Sequence, residues 1–355
     1  MNLQALQFTA RLLLQRSFRL FPKSWISIRK SSSPLGRAVA LFVLATLALP
    51  LNCLFGSPAA ARQSSDSVSI ETFPAGSSPI GLAFDGANIW IADWIGNAVI
   101  KMRASDGVIL GTYGIFEPFF VAWDGASVWV TNEVGQVTKF RGSDLTRELT
   151  VDLGSSQLGG ILFDGTSIWV AGWATSGDVV FKLRVSDGRI LGIYSVGQQP
   201  YQLAFDGANI WVTNRVDGTV SKLRASDGHL LFTVPAGISP NGIVFDGHDI
   251  WVANSYPGGA TIPHTVTKLR LSDGAILATV RVAKNPQLLA SDGTHIWVTN
   301  YAPDSNVGQL RASDGARQHT IVTGIDPEGI LFDGTSIWVA NYGSGTVSKV
   351  TPTPP

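Results

Sequence analysis

The sequence predicts an all-β protein, a single seven-bladed β-propeller whose ring is closed by an N-terminal strand completing the last blade. Three observations carry this expectation. First, the string Phe-Asp-Gly-x-x-Ile-Trp-Val recurs, with its Asp at Asp85, Asp124, Asp164, Asp206, Asp246, Asp292 and Asp333. Its Trp follows five residues later, at Trp90, Trp129, Trp169, Trp211, Trp251, Trp297 and Trp338, so seven of the eleven tryptophans are one repeated position. Second, these tryptophans are spaced by 39, 40, 42, 40, 46 and 41 residues, the period of a four-stranded propeller blade. Third, the last unit lacks a strand that the segment before the first unit can supply.

Each unit reads as four short strands. In the fourth unit they fall at 202–205, 209–214, 219–225 and 230–235. Asp-Gly turns join the first strand to the second and the third to the fourth, because Asp and Gly tolerate the positive φ of tight hairpins. No segment of the repeat carries a 3.6-residue apolar period, so no helix is expected. The second strand is apolar on both faces, with Ile210 and Val212 on one and Trp211 on the other. A strand buried on both sides fits a small sheet sandwiched between two neighbours.

The seventh unit stops after its third strand, at Ser348-Lys349-Val350, before Thr-Pro-Thr-Pro-Pro. Residues 69–79 read SIETFPAGSSP and residues 230–240, which open on a fourth strand, read LLFTVPAGISP, identical at six of eleven places. The N-terminal strand is therefore expected beside the third strand of the last blade, where it removes an exposed edge. The expected organisation is a leader at 1–61, a linker at 62–65, the propeller at 66–350 and a Pro-rich tail at 351–355.

Composition agrees and adds the leader. The whole chain is formally neutral, with 26 basic and 26 acidic residues, and its 15% charged and 45% hydrophobic content excludes a disordered acidic or basic chain. Seven of the basic residues lie in 1–61, which contain no Asp or Glu, so the remainder has 19 basic residues against 26 acidic ones and a net charge of −7. The leader has a basic region ending at Arg37, an apolar stretch at 38–54 and an Ala-x-Ala site ending at Ala61. This pattern reads as a cleaved export signal or, uncleaved, as a membrane anchor with the propeller outside the cytoplasm. A secreted or periplasmic location suits the single Cys, Cys53, which lies in the leader.

The strings FDGANIWVTN and TVSKLRASDG are similar to YVTN/NHL-type propeller repeats of the YncE-like and streptogramin-lyase-like group. The resemblance runs along the whole of the chain beyond the leader. It implies the fold, and a function among binding proteins, lactonases and lyases.

Residues shared by all repeats read as scaffold. Six lysines (Lys101, Lys139, Lys182, Lys222, Lys268 and Lys349) share one third-strand position, and six arginines share another. They take 12 of the 19 basic residues, and the two Asp-Gly turns take 13 of the 26 acids. Basic strand and acidic turn are expected to pair, with the aliphatic stems packed between blades. This even alternation and the charge of −7 argue against nucleic acid as partner. An Asp/Asn ring ends the second strands, at Asp93, Asn132, Asn214, Asn254, Asn300 and Asn341, with Gly172 breaking it. It reads as loop capping.

Function is expected where the repeats diverge, at the end where first strands start and second strands stop. After the loop proline the channel position reads Ile80, Phe119, Gly159, Tyr201, Asn241, Gln287 and Glu328. After the Asn ring the next residue reads Trp94, Glu133, Trp173, Arg215, Ser255, Tyr301 and Tyr342. From these, the expected ligand contacts are Trp94, Phe119, Trp173, Tyr201, Asn241, Gln287, Tyr301, Glu328 and Tyr342. A small molecule, carbohydrate, peptide or protein fits such a mouth. The protein is expected to be a monomer, touching membrane only through an uncleaved leader.

Lactonase-like propellers hold a divalent cation in the channel, so the resemblance implies Glu328 and Asn241 as ligands to a hard cation such as calcium. Glu117 and Asp326 add acid nearby. Lyase-like members use His beside a metal. Here His229, His248 and His295 lie in turns of the opposite face and His319 in an outer strand, leaving His264, in the loop 255–265, within reach. The sequence thus leaves two functions open: an exported binding or scaffold module, or a metal-dependent hydrolase or lactonase, with a lyase the weaker variant.

Overall fold

The structure is a computed structural model that describes residues 68–155, 157–174, 177–255 and 263–352. The leader and linker lie outside the described residues. Those described form seven four-stranded antiparallel sheets in which, for six blades, strands follow one another from the channel outward. Blade one runs through Pro79–Phe84, Asn88–Asp93, Ala98–Arg103 and Ile109–Gly114, and the same pattern repeats through blade six. Inner strands of successive blades lie side by side, and the last, Pro327–Phe332, lies against the first, so the ring is closed.

Closure follows the expected route. Val68–Pro74 forms the outer strand of blade seven and pairs antiparallel with Thr346–Pro352, from Val68 opposite Pro352 to Pro74 opposite Thr346. The ladder therefore extends two residues into the expected tail, because Thr351 and Pro352 have Ser69 and Val68 to pair with. In the fourth unit the inner strand begins at Pro200 rather than at 202, and the third ends at Arg224. Among the described residues one 3-10 turn is present after all, at Tyr342–Ser344, closed by Gly345 in the left-handed region.

The blades adhere through the repeated tryptophan. All seven are fully buried, and each packs into the apolar face of the following blade, as Trp90 does with Val121, Val128, Val130 and Phe140. Trp338 packs the same way on Ile89, Ile91 and Met102 across the closure. Each buried indole needs a partner for its N–H. The Asp of the first Asp-Gly turn accepts it at 2.6–2.9 Å in every blade. The third-strand lysine then lies over the indole, 4.6–5.3 Å from its centroid, in six blades. Its ammonium donates to a backbone carbonyl of the next blade at 2.5–3.0 Å. Gln309 takes the lysine's place in blade six. Asp, Trp and Lys thus form one staple in each of six blades, joining its first turn, its centre and its neighbour.

Candidate functional site

The end of the ring opposite the Asp-Gly turns is built by three local devices. Each inner strand breaks register with the second strand just after it starts, as between Pro200 and Leu203, and this bulge occurs in all seven blades. A bulge re-aims the side chain that sits in it. The channel positions from Ile80 to Glu328 occupy that bulge. Five blades also enter the inner strand through a non-glycine residue at positive φ, namely Glu117, Gln199, Ser239, Asn285 and Asp326. The carbonyls of these residues accept the N–H of Glu133, Arg215, Ser255, Tyr301 and Tyr342 at 2.9–3.3 Å. The backbone of the variable ring is thereby fixed, and its side chains are free to differ.

The third device alternates around the ring. Even blades carry Thr131, Thr213 and Thr299 on the second strand, where odd blades carry Ala92, Ala171, Ala253 and Ala340. Each threonine hydroxyl accepts the bulge N–H of its own blade, from Phe120, Gln202 or Leu288, at 2.9–3.1 Å. It donates to the next blade's channel residue, at the carbonyls of Gly159, Asn241 and Glu328, at 2.8–3.1 Å. Odd blades place glycine after the channel residue, at Gly81, Gly160, Gly242 and Gly329. A Cβ on Gly81 or Gly242 would come within 2.6 Å of the carbonyl oxygen of Phe119 or Gln287. Glycine is required there because the neighbouring backbone occupies that space. Below the mouth the shaft encloses about 170 Å³, lined by Leu82, Phe120, Ile161, Gln202, Ile243 and Leu288 among others.

The nine residues expected at the mouth come together there in two aromatic walls and a polar group. On one side Trp94, Tyr342 and Tyr301 stand in sequence, with ring centroids 6.1 and 6.3 Å apart. On the other, Tyr201 lies 6.2 Å from Phe119 and 6.1 Å from Trp173. Phe119 and Tyr201 meet over blade three because its channel residue, Gly159, has no side chain. Blade three also lacks the loop proline and the ring Asn. Phe181 fills the space of a side chain at Gly172, and Trp173 is tied by its Nε1 donating to Gln157 Oε1 at 2.8 Å. The polar group is Asn241, whose Nδ2 donates to Gln287 Oε1 at 2.6 Å, together with Glu328.

Glu328 stands between the walls. Its charge acts on Tyr201 of one wall and on Tyr301 and Tyr342 of the other. Burial pushes its carboxyl up to about 8, with Arg215 opposing the rise and Asp326 adding to it. Burial also raises all three tyrosines, and for Tyr301 the adjacent Asp326 adds to it. Glu133 is raised to about 6 by burial and by the charge of Glu117, against the pull of the Trp94 indole. That indole's Nε1 is buried without closing a hydrogen bond of full geometry.

Arg215 is the residue the expected contacts omit. Its guanidinium lies 4.5 Å above the Tyr201 ring, and its Nε is buried without a hydrogen-bond partner. The available signal was its place as the one cation in the variable ring. The Asn ring, by contrast, is structural: Asn214, Asn254 and Asn341 each donate Nδ2 to two third-strand hydroxyls. Asp93 accepts from the N–H groups of Ser77 and Ser78. Glu328 and Asn241 share the mouth, but among the described residues no three His, Cys, Asp or Glu side chains gather as a metal-ligand set. His264 lies among Asp304 and Lys284. Most of its loop lies outside the described residues.

No protein-family model matches the chain, and no curated protein does. Among solved structures, Kuenenia stuttgartiensis hydrazine synthase is similar, with a TM-score of 0.70 at 17% identity over 78% of this chain and 96% of that one. At that identity the likeness shows the propeller fold alone.

Proposed function

We propose that this protein is a binding module that holds a ligand or partner at the mouth where the inner strands start. One observation carries the proposal. Two repeat positions that share a backbone in the seven blades diverge at this end, and their side chains converge on two aromatic walls around Glu328, Arg215, Asn241 and Gln287. Concave aromatic surface with a few convergent polar groups is the usual character of a ligand site. The leader supports export as the setting, and the closed ring supports a monomer.

A hydrolase is the second possibility, favoured by the carboxyl of Glu328 being held up to about 8 within the mouth. A carboxyl perturbed by burial within a cleft is a feature of acid–base sites. A thermal-shift screen of the full chain with small molecules and Ca²⁺, Mg²⁺ or Zn²⁺ tests both, since binding to the folded state raises its melting temperature. Ligand-induced shifts that vanish in Glu328→Ala and Trp173→Ala are expected. Shifts indifferent to both substitutions place the site elsewhere. A metal shift that needs Glu328 and Asn241 brings the hydrolase forward.

A further inference from the structure

Resting on that assignment of the mouth, the character of its polar groups narrows the ligand class. Asn241 and Gln287 are bonded to each other, and Gln287 Nε2 also donates to the Asn285 carbonyl at 3.3 Å, but Asn241 Oδ1 is buried without a partner. Amides and the phenols of Tyr301 and Tyr342 can each both donate and accept a hydrogen bond. A lining of such groups matches hydroxyls, which also do both. A fixed ammonium or carboxylate wants partners of one sense only. The one cation of the variable ring, Arg215, is stacked on Tyr201 at 4.5 Å and shares the mouth with the carboxyls of Glu133 and Asp326, so it is not set apart for an anion. Glu328 in its protonated form joins the groups that donate and accept. The walls add flat apolar faces: Trp173 and Phe119 beside the buried Tyr201, and Trp94 with Tyr342 opposite. Aromatic rings with a polar edge suit a ligand that is apolar on its faces and hydroxylated around its rim.

We propose that the mouth binds a neutral saccharide, with a sugar ring face against an aromatic wall and its hydroxyls on Asn241, Gln287 and the wall tyrosines.

The test titrates the full chain with maltotriose, cellotriose and chitotriose, and with putrescine and citrate as charged probes, following tryptophan fluorescence and melting temperature. At least one neutral trisaccharide is expected to raise the melting temperature. Its affinity should change little between about 0.05 and about 0.5 M salt, because a neutral ligand has no ion pair to screen. Trp173→Ala and Gln287→Ala should each weaken it about tenfold or more, a loss of roughly 1.4 kcal/mol. His229→Ala, on the opposite end, should leave it unchanged. Should Trp173→Ala fold poorly, Tyr342→Phe carries the test, since it removes a hydroxyl and keeps the ring. Binding of putrescine or citrate alone, abolished by the mouth variants, keeps the site and overturns the saccharide. A trisaccharide that binds equally well to every mouth variant overturns the site. No trisaccharide binding at all overturns the saccharide.

Discussion

The two ends of each blade share a sheet and differ in what their residues must do. At the Asp-Gly end, the side chains hold blades together: Asp206 caps Trp211, Lys222 covers the indole, and its ammonium reaches Leu271 of the next blade. Change there is felt by a buried neighbour, so the repeat stays regular. At the mouth, the scaffold is carried by backbone groups, by threonine hydroxyls and by glycines, while the outward side chains vary from Trp94 to Glu133 to Arg215. The lesson is one of division of labour. A ring can diversify its outward surface at one end when main-chain hydrogen bonds and a few recurring side chains, rather than the varied ones, fix that end.

The largest effect should come from breaking the staple end at the closure. Removing residues 68–74 strips the outer strand from blade seven and exposes the edge of Thr346–Pro352. Unpaired edges recruit other chains. Loss of a single cooperative melting transition, with light scattering from aggregates, is expected, and an unchanged melting curve would refute the closure. Next comes Trp211→Ala, which should cost roughly 3–5 kcal/mol, as deletion of a large buried aromatic does. Urea titration measures it directly. A mouth aromatic changed conservatively, Tyr342→Phe, should stay within about 0.5 kcal/mol of the parent in the same experiment.

Much of this contrast was legible in the sequence, and the reason is repetition. Seven copies of one Asp and one Trp locate the blade, its turns and its buried face without any three-dimensional information. Ends of strands were less legible: Pro200 and Gln202 differ only in whether a bulged residue is counted, and Thr351 and Pro352 acquire a ladder only because Ser69 and Val68 lie opposite. The aromatic members of the site stood out because they interrupt a regular position. Arg215 stood in the same position but was outweighed, since its value comes from stacking on Tyr201, and no spacing along the chain reports that contact. The alternation of threonine and glycine is written in the residues too. Its purpose needs the next blade's carbonyl, about 30 residues away in sequence at Thr299 and Glu328.

That alternation offers a sharper cut at the mouth itself. Gly329→Ala would drive a Cβ into the Ile80 carbonyl at the closing blade interface. Overpacking of this kind costs about 1–3 kcal/mol. It should move the melting temperature without touching any mouth side chain. If Gly329→Ala instead melts like the parent, the inner strands are less tightly set than the glycines imply.

Acid separates the ends by sign. Burial raises Asp206 and Asp333, but hydrogen bonds from the Trp indole, from backbone N–H groups and from neighbouring side chains outweigh it and hold both carboxyls below the ordinary value. A depressed folded value contributes stability that is present above the unfolded value of about 4 and is lost as pH falls through the folded one. Glu328 behaves oppositely. Its folded value of about 8 lies above that of an unfolded Glu, so its contribution is complete at low pH and is lost as pH rises from the unfolded value through about 8. Glu328→Gln keeps the shape and removes the titration. The variant should therefore be more stable relative to the parent at pH 9 than at pH 5, whereas Asp206→Asn should lose stability relative to the parent at pH 7 more than at pH 3. Melting curves across this range decide it. Parallel profiles for parent and Glu328→Gln would mean that the carboxyl is solvated and ionised at neutral pH, and the mouth would then favour a cationic ligand over a neutral one.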